Sequence, residues 1–469
     1  MPHRDAVSRI YGPRAGQAVL LLRHRLMTEF RCGVRARVFP LLCAVALLVP
    51  DLIAARENSG AIDVVHYDVE VKPDFDQRTI TGRTTIRFRS LESSLSEVSF
   101  SPNAMSIDEA RMNGTALRVV RATDSIAVQL SRPVLRGQIA EITLSYSGKP
   151  ARGLTFEGRA VYSSYFTCDW MICRQDDPGD KATLQMSLIL PKDMTSWGPG
   201  TLRSRTGVAS GLERQVWRED RPYSSYLFGF AAGDFQHATD KHGQIELAYL
   251  STSAAPGRLG RLFAPTASMV QFFEQKAGVS FPQRRYVQLH VEGAAAQEAI
   301  NFSVLGDDVL APMLTTPEED WAIAHELAHQ WWGNLVTCAD WTHFWLNEGI
   351  TTFMVAAWKE HRWGRPAYDR ELAILQRRAD EATAAGLDVP LTYSGPYPSL
   401  RLRRAITYSK GAVFMDRLRR ELGDEVFWRA LQRYTRSHAA GVVESRDFQR
   451  AVEQESGRDL QTLFAKWVY

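Results

Sequence analysis

The chain has 469 residues, of which 45% are hydrophobic and 23% are charged, a composition typical of a globular protein with two or more domains. Its formal net charge of +3 is concentrated at the amino terminus, because residues 1–55 contain eight arginines and only three acidic residues, which leaves the remainder at about −2. The nearly neutral remainder of the chain lacks the strongly basic character of nucleic-acid-binding proteins, so nucleic acid is not an expected partner.

The first 57 residues predict a tail followed by an export signal. Residues 1–26 show no apolar periodicity, and Met27 is an alternative start. Three arginines between residues 31 and 37 precede the apolar run 38–50, and small residues follow it, as in a secretory signal peptide. The run is short for a membrane span. We therefore predict an exported protein, periplasmic or secreted, with membrane anchoring by residues 38–50 as the alternative.

Residues 58–240 predict an antiparallel β domain. Segments with alternating apolar and polar side chains are separated by turn signals such as Asn113-Gly114. The predicted strands are 66–71, 84–88, 126–130 and 141–146, with 226–230 as the last one. Such alternation indicates a sheet with one face exposed to solvent.

The cysteines of this region allow two interpretations. Cys168 and Cys173 are close enough in sequence to form a local disulfide in an oxidising compartment, which would leave Cys338 unpaired. Buried free thiols are the alternative.

Residues 241–469 predict a mostly helical domain, so that the whole chain is an α+β multidomain protein. Short strands are predicted near 286–290 and at 302–310. The predicted helices are 259–278, 317–333, the segment that starts at 350, 366–386, 409–422, 424–438, 445–456 and 459–467.

The most informative motif of this region is His325-Glu326-Leu327-Ala328-His329. Two histidines four positions apart on a helix are separated by about 40° of rotation and roughly 6 Å of rise, so their imidazoles can hold one metal ion. Thr316 is predicted as the N-cap of this helix, with Pro317 as its first residue and Glu319 closing a capping box.

Glu348 is the candidate third ligand, because it precedes a second predicted helix that can lie antiparallel to the first. Two imidazoles, one carboxylate and an open fourth position are typical of a catalytic zinc site. His325, His329 and Glu348 are therefore predicted to bind one Zn²⁺, with Glu326 as the general base. The alternative is a surface helix whose two histidines are solvated.

The chain also resembles the gluzincin-type zinc aminopeptidases, the family that includes alanyl aminopeptidase and leukotriene A4 hydrolase. The resemblance covers about residues 60–469. It rests on these segments: the metal helix with its extension 330–337, Leu346-Asn347-Glu348-Gly349, Tyr408-Ser409-Lys410-Gly411, Tyr67-Asp68 with Pro73-Asp74-Phe75, and Asp177-Pro178 with 181–183.

The resemblance implies a saddle-like N-terminal β domain and a thermolysin-like catalytic domain. Larger family members continue into a helical domain that covers the active site, and this chain ends where such a domain would begin. The resemblance therefore implies either a more open site or one covered by a second copy or another partner.

The resemblance also implies roles for residues outside the metal cluster. Tyr408 would donate a hydrogen bond to the oxyanion that forms at the cleaved carbonyl. The family's Gly-x-Met-Glu-Asn motif, which binds the substrate's α-amine, is altered here in the stretch that begins at Gly293. Glu298 is the candidate carboxylate and Gln297 a candidate hydrogen-bonding partner, and 303–310 is expected to be the edge strand that pairs with the substrate.

Four tryptophans surround the predicted ligands, and packing is the preferred interpretation over substrate contact. They are Trp331, Trp332, Trp341 and Trp345.

Together these features predict a zinc metallopeptidase, and the resemblance implies an aminopeptidase that acts on peptides. Two alternatives stay open: a zinc peptidase without strict free-amine specificity, and a metal-binding interaction protein without catalysis. Retention of Glu326 and Tyr408 argues against the second alternative, because a binding module needs no general base.

Overall fold

The computed structural model describes residues 60–209 and 211–469. The predicted tail and signal peptide or anchor, residues 1–57, lie outside the described residues. Within the described part, no helix combines the length and apolarity that crossing a membrane would need.

The first part of the described chain consists mainly of strands. They are β1 (Ile62–Asp74), β2 (Thr79–Ser90), β3 (Leu95–Phe100), β4 (Ser106–Met112), β5 (Thr115–Ala116), β6 (Arg118–Arg121), β7 (Ile126–Val134), β8 (Ile139–Gly148), β9 (Leu154–Glu157), β10 (Ala160–Ser163), β11 (Lys181–Pro191), β12 (Thr195–Trp197), β13 (Thr201–Ala209), β14 (Leu212–Ser224) and β15 (Ala231–Gly233).

These strands form three sheets around one core. The largest has the order β13-β14-β11-β1-β2-β8-β4-β5, and the smaller ones are β12-β15-β10-β9 and β3-β7-β6. Neighbouring strands of the largest sheet are antiparallel, apart from the β1–β11 pair, which is parallel. Burial alternates along β2 from residue to residue, which explains the period-two pattern of its sequence. The predicted β domain is confirmed.

The prediction of a last strand at 226–230 was wrong. Residues Ser225–Leu227 form a 3₁₀ turn, and the strand β15 begins only at Ala231. The Thr167 hydroxyl donates to the carbonyls of Tyr226 and Phe228, so these acceptors are bound by a side chain instead of a neighbouring strand.

The second part of the described chain contains a further sheet and most of the helices. Its strands are β16 (Gln236–His242), β17 (Ile245–Ser251), β18 (Arg285–Val291), β19 (Ala296–Ala299), β20 (Phe302–Gly306), β21 (Thr337–Cys338) and β22 (Val442–Val443). Its α-helices are α1 (Pro256–Leu262), α2 (Thr266–Ala277), α3 (Asp307–Leu310), α4 (Trp321–Ala328), α5 (Trp345–Trp363), α6 (Arg365–Ala384), α7 (Leu400–Arg404), α8 (Gly411–Leu422), α9 (Asp424–Ser437), α10 (Ser445–Ser456) and α11 (Gln461–Trp467).

The predicted helix 259–278 is divided in two. Pro265 lies between α1 and α2, and a proline inside a helix removes a backbone hydrogen bond and clashes with the preceding turn. The predicted helices 366–386, 424–438 and 445–456 are confirmed by α6, α9 and α10.

The five-stranded sheet has the order β16-β17-β18-β20-β19, and β19 is therefore an edge strand. The prediction that 303–310 forms the edge was wrong. β20 is an interior strand, buried at every position, and 307–310 form α3. The sequence Phe302–Gly306 has no polar side chain larger than serine, which suits a strand covered on both faces.

Candidate active site

The helix that carries the predicted metal ligands starts later than expected. The α-helix begins at Trp321, and residues Pro317–Glu319 form a separate 3₁₀ turn in which Thr316 makes no side-chain capping bond. Asp320 occupies the N-cap position, but its carboxylate accepts a hydrogen bond from the Trp358 indole at 2.8 Å. The capping box was therefore predicted wrongly, because a tertiary contact determines how this helix begins.

His325, His329 and Glu348 are brought together as predicted. The two imidazole Nε2 atoms lie 3.1 Å apart, and the Glu348 Oε2 atom lies 3.3 Å from His325 Nε2 and 3.5 Å from His329 Nε2. Ligand bonds of about 2.0–2.1 Å in a tetrahedral zinc site place neighbouring ligand atoms about 3.3 Å from one another. The triangle of donor atoms therefore has the dimensions that zinc requires.

Hydrogen bonding and burial also fit a cation at this point. The His329 Nδ1 atom lies 3.0 Å from the Trp332 carbonyl, to which an Nδ1–H can donate, so that the Nε2 lone pair faces the cluster. The Glu348 Oε2 atom is buried without a hydrogen-bond donor. Burial alone would raise the pKa of Glu348, but the positive charge of His329 and the nearby His325 imidazole hold it well below its ordinary value.

Glu326 lies beside the ligands and is buried. Its Oε2 atom has no hydrogen-bond partner among the described residues. Burial raises the pKa of the Glu326 carboxyl well above its ordinary value, against the opposing charge of His329. A carboxyl group in these surroundings is ready to accept and return a proton.

Glu298 approaches Glu326 and His329 from the edge strand β19. One ligand atom from each of these three residues lies within 4.8 Å of the other two. Burial raises the pKa of Glu298 to about 7. The structure thus places a second carboxyl group next to the metal cluster, on an element remote in sequence from α4 and α5.

Hydrogen bonds from the metal-binding segment hold the edge strand in place. Gln330 Nε2 and Asn334 Nδ2 both donate to the Ala299 carbonyl, at 2.9 and 3.0 Å. Gln330 Oε1 also accepts the backbone N–H of Asn301 at 3.0 Å. The position of Glu298 relative to His329 is therefore fixed by side chains that follow the second histidine.

The structure places the other two residues predicted for amine binding in different environments. The Gln297 side-chain carbonyl accepts the backbone N–H of Tyr165 from the β domain. Gly293 lies in the loop before β19 with φ +83°, and its carbonyl accepts the Asp308 N–H at 2.9 Å. Both of these hydrogen bonds are made with residues outside the metal cluster.

Tyr408 lies next to the metal cluster. Its half-buried ring stacks on the His325 imidazole, with ring centroids 5.9 Å apart and planes inclined by 12°. It belongs to a π-helix, Ala405–Lys410, that joins α7 to α8 without interruption. The predicted helix 409–422 thus starts earlier and contains a wider turn, which has no signature in the sequence.

Three of the four tryptophans near the ligands support the packing interpretation. Trp331, Trp332 and Trp345 are at most 1% exposed, and their indole N–H groups donate to protein acceptors at 2.8–3.0 Å. Trp341 is half-buried and packs edge-on against Tyr226, with ring centroids 5.3 Å apart.

Sequence reasoning missed two residues of the site, Tyr226 and Arg404. The Tyr226 hydroxyl reaches from the β domain to the Gly333 carbonyl at 3.4 Å and accepts the Asn347 amide at 3.3 Å. No sequence pattern links Tyr226 to residues more than a hundred positions away. For Arg404 a signal existed, because it lies one helical turn before Tyr408.

Of the two interpretations of the cysteines, the structure shows the local disulfide. Cys168 and Cys173 are bonded, with Cα atoms 5.1 Å apart, and Cys338 is free and buried.

The fold is a β domain followed by a helical domain, and the site is a cluster of two imidazoles and one carboxylate. This combination is that of a metallopeptidase. Comparison with known families agrees: the Peptidase M1 N-terminal domain matches residues 64–227, and the Peptidase family M1 domain matches residues 263–467. The chain belongs to peptidase family M1, and the family and zinc cofactor predicted from the sequence are confirmed.

Curated relatives include Aminopeptidase 2 of Candida albicans, 24% identical over 436 residues, which cover 86% of this chain and 46% of that protein. Aminopeptidase N of Lactococcus lactis is 25% identical over 441 residues, which cover 86% of this chain and 50% of that protein. The chain thus spans about half the length of these relatives.

Solved structures with the same fold include the M1 zinc metallopeptidase from Deinococcus radiodurans, with a TM-score of 0.71 and 23% identity over 87% of this chain and 93% of that one. A point mutant of that protein bound to a Tyr-Ser-Ala substrate matches with a TM-score of 0.72 and 23% identity, covering 87% and 94% of the two chains. This similarity confirms the predicted fold class.

Proposed function

We propose that the protein is a zinc aminopeptidase that removes N-terminal residues from peptides. The observation that carries this proposal is the position of two carboxyl groups beside the metal cluster, that of Glu326 buried and that of Glu298 half-buried. Glu326 adjoins the histidines on α4, and Glu298 faces them from an unpaired sheet edge. Glu326 is placed to act as a general base, and Glu298 is placed to bind the ammonium group of a substrate.

The hydrolytic step uses side chains that are already in place. Zinc bound by His325, His329 and Glu348 would acidify water and polarise the scissile carbonyl. Glu326 accepts the proton of the attacking water and later delivers it to the leaving amine. Tyr408 donates a hydrogen bond to the oxygen that gains negative charge, which stabilises the transition state more than the substrate.

Substrate orientation follows from the edge strand. Among the described strands β19 pairs only with β20, so the backbone of an extended peptide can add along its other side beyond Ala296, whose carbonyl accepts the Tyr165 hydroxyl. Glu298 on this strand then pairs with the free α-amine and stops the peptide from extending further. Three acidic side chains in one cleft favour a cation at that position.

A second candidate is a peptidase that does not require a free amine. One observation favours it: the Gln297 carbonyl, which could have assisted amine binding, is already bonded to the Tyr165 backbone. The family motif is also altered at Ala296 and Ala299. A metal-binding protein without catalysis is disfavoured because the buried Glu326 Oε2 atom has no hydrogen-bond partner among the described residues, and metal binding alone does not require this costly arrangement.

A comparison of blocked and free substrates tests the proposal. Alanine p-nitroanilide and its N-acetyl derivative are offered to the zinc-loaded protein and to Glu326→Gln, with metal analysis of the same samples. We expect cleavage of the free-amine substrate only, one zinc per chain in both proteins and loss of turnover in the variant. Cleavage of both substrates selects the second candidate. No metal-dependent turnover of either substrate rejects both peptidase candidates.

We also propose that the protein is exported, either to the periplasm or by secretion. The apolar run 38–50 after a basic segment supports this, and so does the disulfide Cys168–Cys173, because such bonds persist in oxidising compartments. Fusing residues 1–57 to a reporter that is active only after export tests the proposal, with 58–469 as the control. Membrane anchoring would retain the reporter in the membrane fraction.

A further inference from the structure

The turn that follows the metal helix packs directly against the second metal-binding histidine. The His329 Nδ1–H can donate to the Trp332 carbonyl at 3.0 Å, and a Cβ atom on Gly333 would lie 2.7 Å from the same nitrogen. Gly333 has φ +122°, a conformation that favours glycine. The peptide unit between Trp332 and Gly333 thus fixes the orientation of the His329 ring, as groups behind a metal ligand commonly do.

The next three carbonyl groups of this turn accept hydrogen bonds from the β domain. The Tyr226 hydroxyl donates to the Gly333 carbonyl at 3.4 Å. Lys181 Nζ donates to the carbonyls of Asn334 and Leu335, at 3.3 and 3.1 Å. Two side chains from separate segments of the β domain therefore bind one short stretch of backbone in the catalytic domain.

The Tyr226 hydroxyl also reaches the segment of the third ligand. It accepts a hydrogen bond from Asn347 Nδ2 at 3.3 Å, and Asn347 directly precedes Glu348. The Gly333 carbonyl has a second donor within its own segment, the Thr337 hydroxyl at 2.7 Å. One phenol group of the β domain thus bridges the segments that carry two of the three metal ligands.

The two domains are in close backbone contact beside this turn. A Cβ atom on Gly179, two residues before Lys181, would lie 2.6 Å from the Ala339 carbonyl oxygen. Asn347 is buried, with 1% of its surface exposed. Interiors packed this closely have low compressibility and transmit displacements, so a shift of the β domain at this contact moves the turn behind His329.

We propose that Tyr226 and Lys181 are positioning residues of the metal site, through which the β domain sets the affinity of the catalytic domain for zinc. Both act through the backbone of 333–335 on the His329 ring, and Tyr226 acts in addition through Asn347. The inference goes beyond the proposed aminopeptidase function, because it concerns metal binding and holds whichever peptide is cleaved. Loss of a group that orients a metal ligand weakens metal binding by about tenfold to a hundredfold.

The test measures zinc affinity separately from stability. The zinc-loaded full chain is titrated with a chelator of known affinity, and circular dichroism verifies that the protein stays folded when zinc has been removed. Thermal unfolding of the metal-free protein gives its stability. Tyr226→Phe keeps the ring that packs on Trp341, and we expect its zinc dissociation constant to be about tenfold higher than that of the wild type. Lys181→Met should shift the constant in the same direction.

Tyr146→Phe is the matched control. Tyr146 is a fully buried tyrosine on β8 of the same domain, and its hydroxyl forms a hydrogen bond with the Thr84 hydroxyl at 3.0 Å. This variant should unfold at a lower temperature and keep the zinc affinity of the wild type, because its hydroxyl does not contact the turn.

If either Tyr226→Phe or Lys181→Met does not fold, the other variant decides. Wild-type zinc affinity in the variants that fold overturns the inference, and so does an equal loss of affinity in Tyr146→Phe. A loss of zinc affinity as expected, in a protein that cleaves no peptide, would support this inference and refute the proposed function.

Discussion

Gly349 and Gly411 pack directly against each other: a Cβ atom on either residue would lie 2.9 Å from the Cα atom of the other. Gly349 follows the ligand Glu348 on α5, and Gly411 begins α8 just after the π-helix that carries Tyr408. Because the obstructing atoms are backbone, neither position accepts a side chain unless the two helices separate. The contact thus sets the distance between a metal ligand and the proposed oxyanion donor.

We expect Gly349→Ala and Gly411→Ala to lower both stability and turnover. Overpacking of a rigid contact costs about 1–3 kcal/mol, and the displaced Glu348 and Tyr408 would lose their alignment. Thermal unfolding, zinc content and alanine p-nitroanilide turnover measure these effects. Gly260→Ala is the control, because an added Cβ there meets nothing within 4 Å. Wild-type stability and turnover in Gly349→Ala would contradict the argument.

We expect Gln330→Met to raise KM for free-amine peptides by about tenfold, with a smaller effect on kcat. The change removes the hydrogen bonds of Gln330 with the Ala299 carbonyl and the Asn301 N–H, which hold the strand that carries Glu298. Gln449→Met, at an equally hydrogen-bonded glutamine of α10, should leave KM unchanged. An effect on kcat alone would show that Gln330 does not act through amine binding.

We expect metal removal to destabilise the protein as well as inactivate it. Three ligand groups are buried together, and a cation that binds only the folded state contributes stability by mass action. The thermal unfolding midpoint should fall on chelation and recover with added zinc. In Glu348→Ala, the midpoint should respond little to either treatment. A midpoint that does not respond to zinc in the wild type would disprove this coupling.

We expect loss of the disulfide to weaken the contact between the two domains. The loop that it closes follows Tyr165, whose hydroxyl and backbone N–H donate to Ala296 and Gln297 on the edge strand. Closing so short a loop contributes about 2 kcal/mol to the free energy of unfolding. Urea unfolding of Cys168→Ser/Cys173→Ser, against Cys338→Ser as a control, measures the loss. An unchanged midpoint in the double variant would refute it.

We expect stability to rise between pH 7 and 9 because of Lys181. Its Nζ donates to the carbonyls of Asn334 and Leu335, and burial lowers its pKa to about 7. In this pH range the unfolded state binds a proton that the folded state has released, so unfolding becomes less favourable by about 2 kcal/mol. The increase in the free energy of unfolding between pH 7 and 9 should disappear in Lys181→Met. It should persist in Lys192→Met, which replaces an exposed lysine. If Lys181→Met retained this pH dependence of stability, another titrating group would be its cause.

Much of the site could be predicted from the sequence alone. The spacing of His325 and His329 specifies a shared helical face, because helix geometry depends only on local backbone angles. Period-two patterns likewise located several of the longer strands, such as β1, β2, β7 and β8, and period-3.6 patterns located most of the longer helices. Glu348 could be assigned because its chemistry and its place at the start of a helix, which the structure puts in the first turn of α5, are both local features. Local patterns were therefore sufficient to predict the cluster that can hold zinc and the fold class.

What lies beside these ligands was decided by the tertiary structure. The edge strand was assigned wrongly, because strand order depends on which segments pair and not on the pattern of one segment. The helix start at Trp321 was missed, because the N-cap position is Asp320, which is bound by the distant Trp358 indole, and not the predicted cap Thr316. Tyr226 reaches the site by packing across a long sequence separation. Local sequence determines which side chains can bind a metal or transfer a proton. The packing of elements that are distant in sequence determines which other residues surround those side chains.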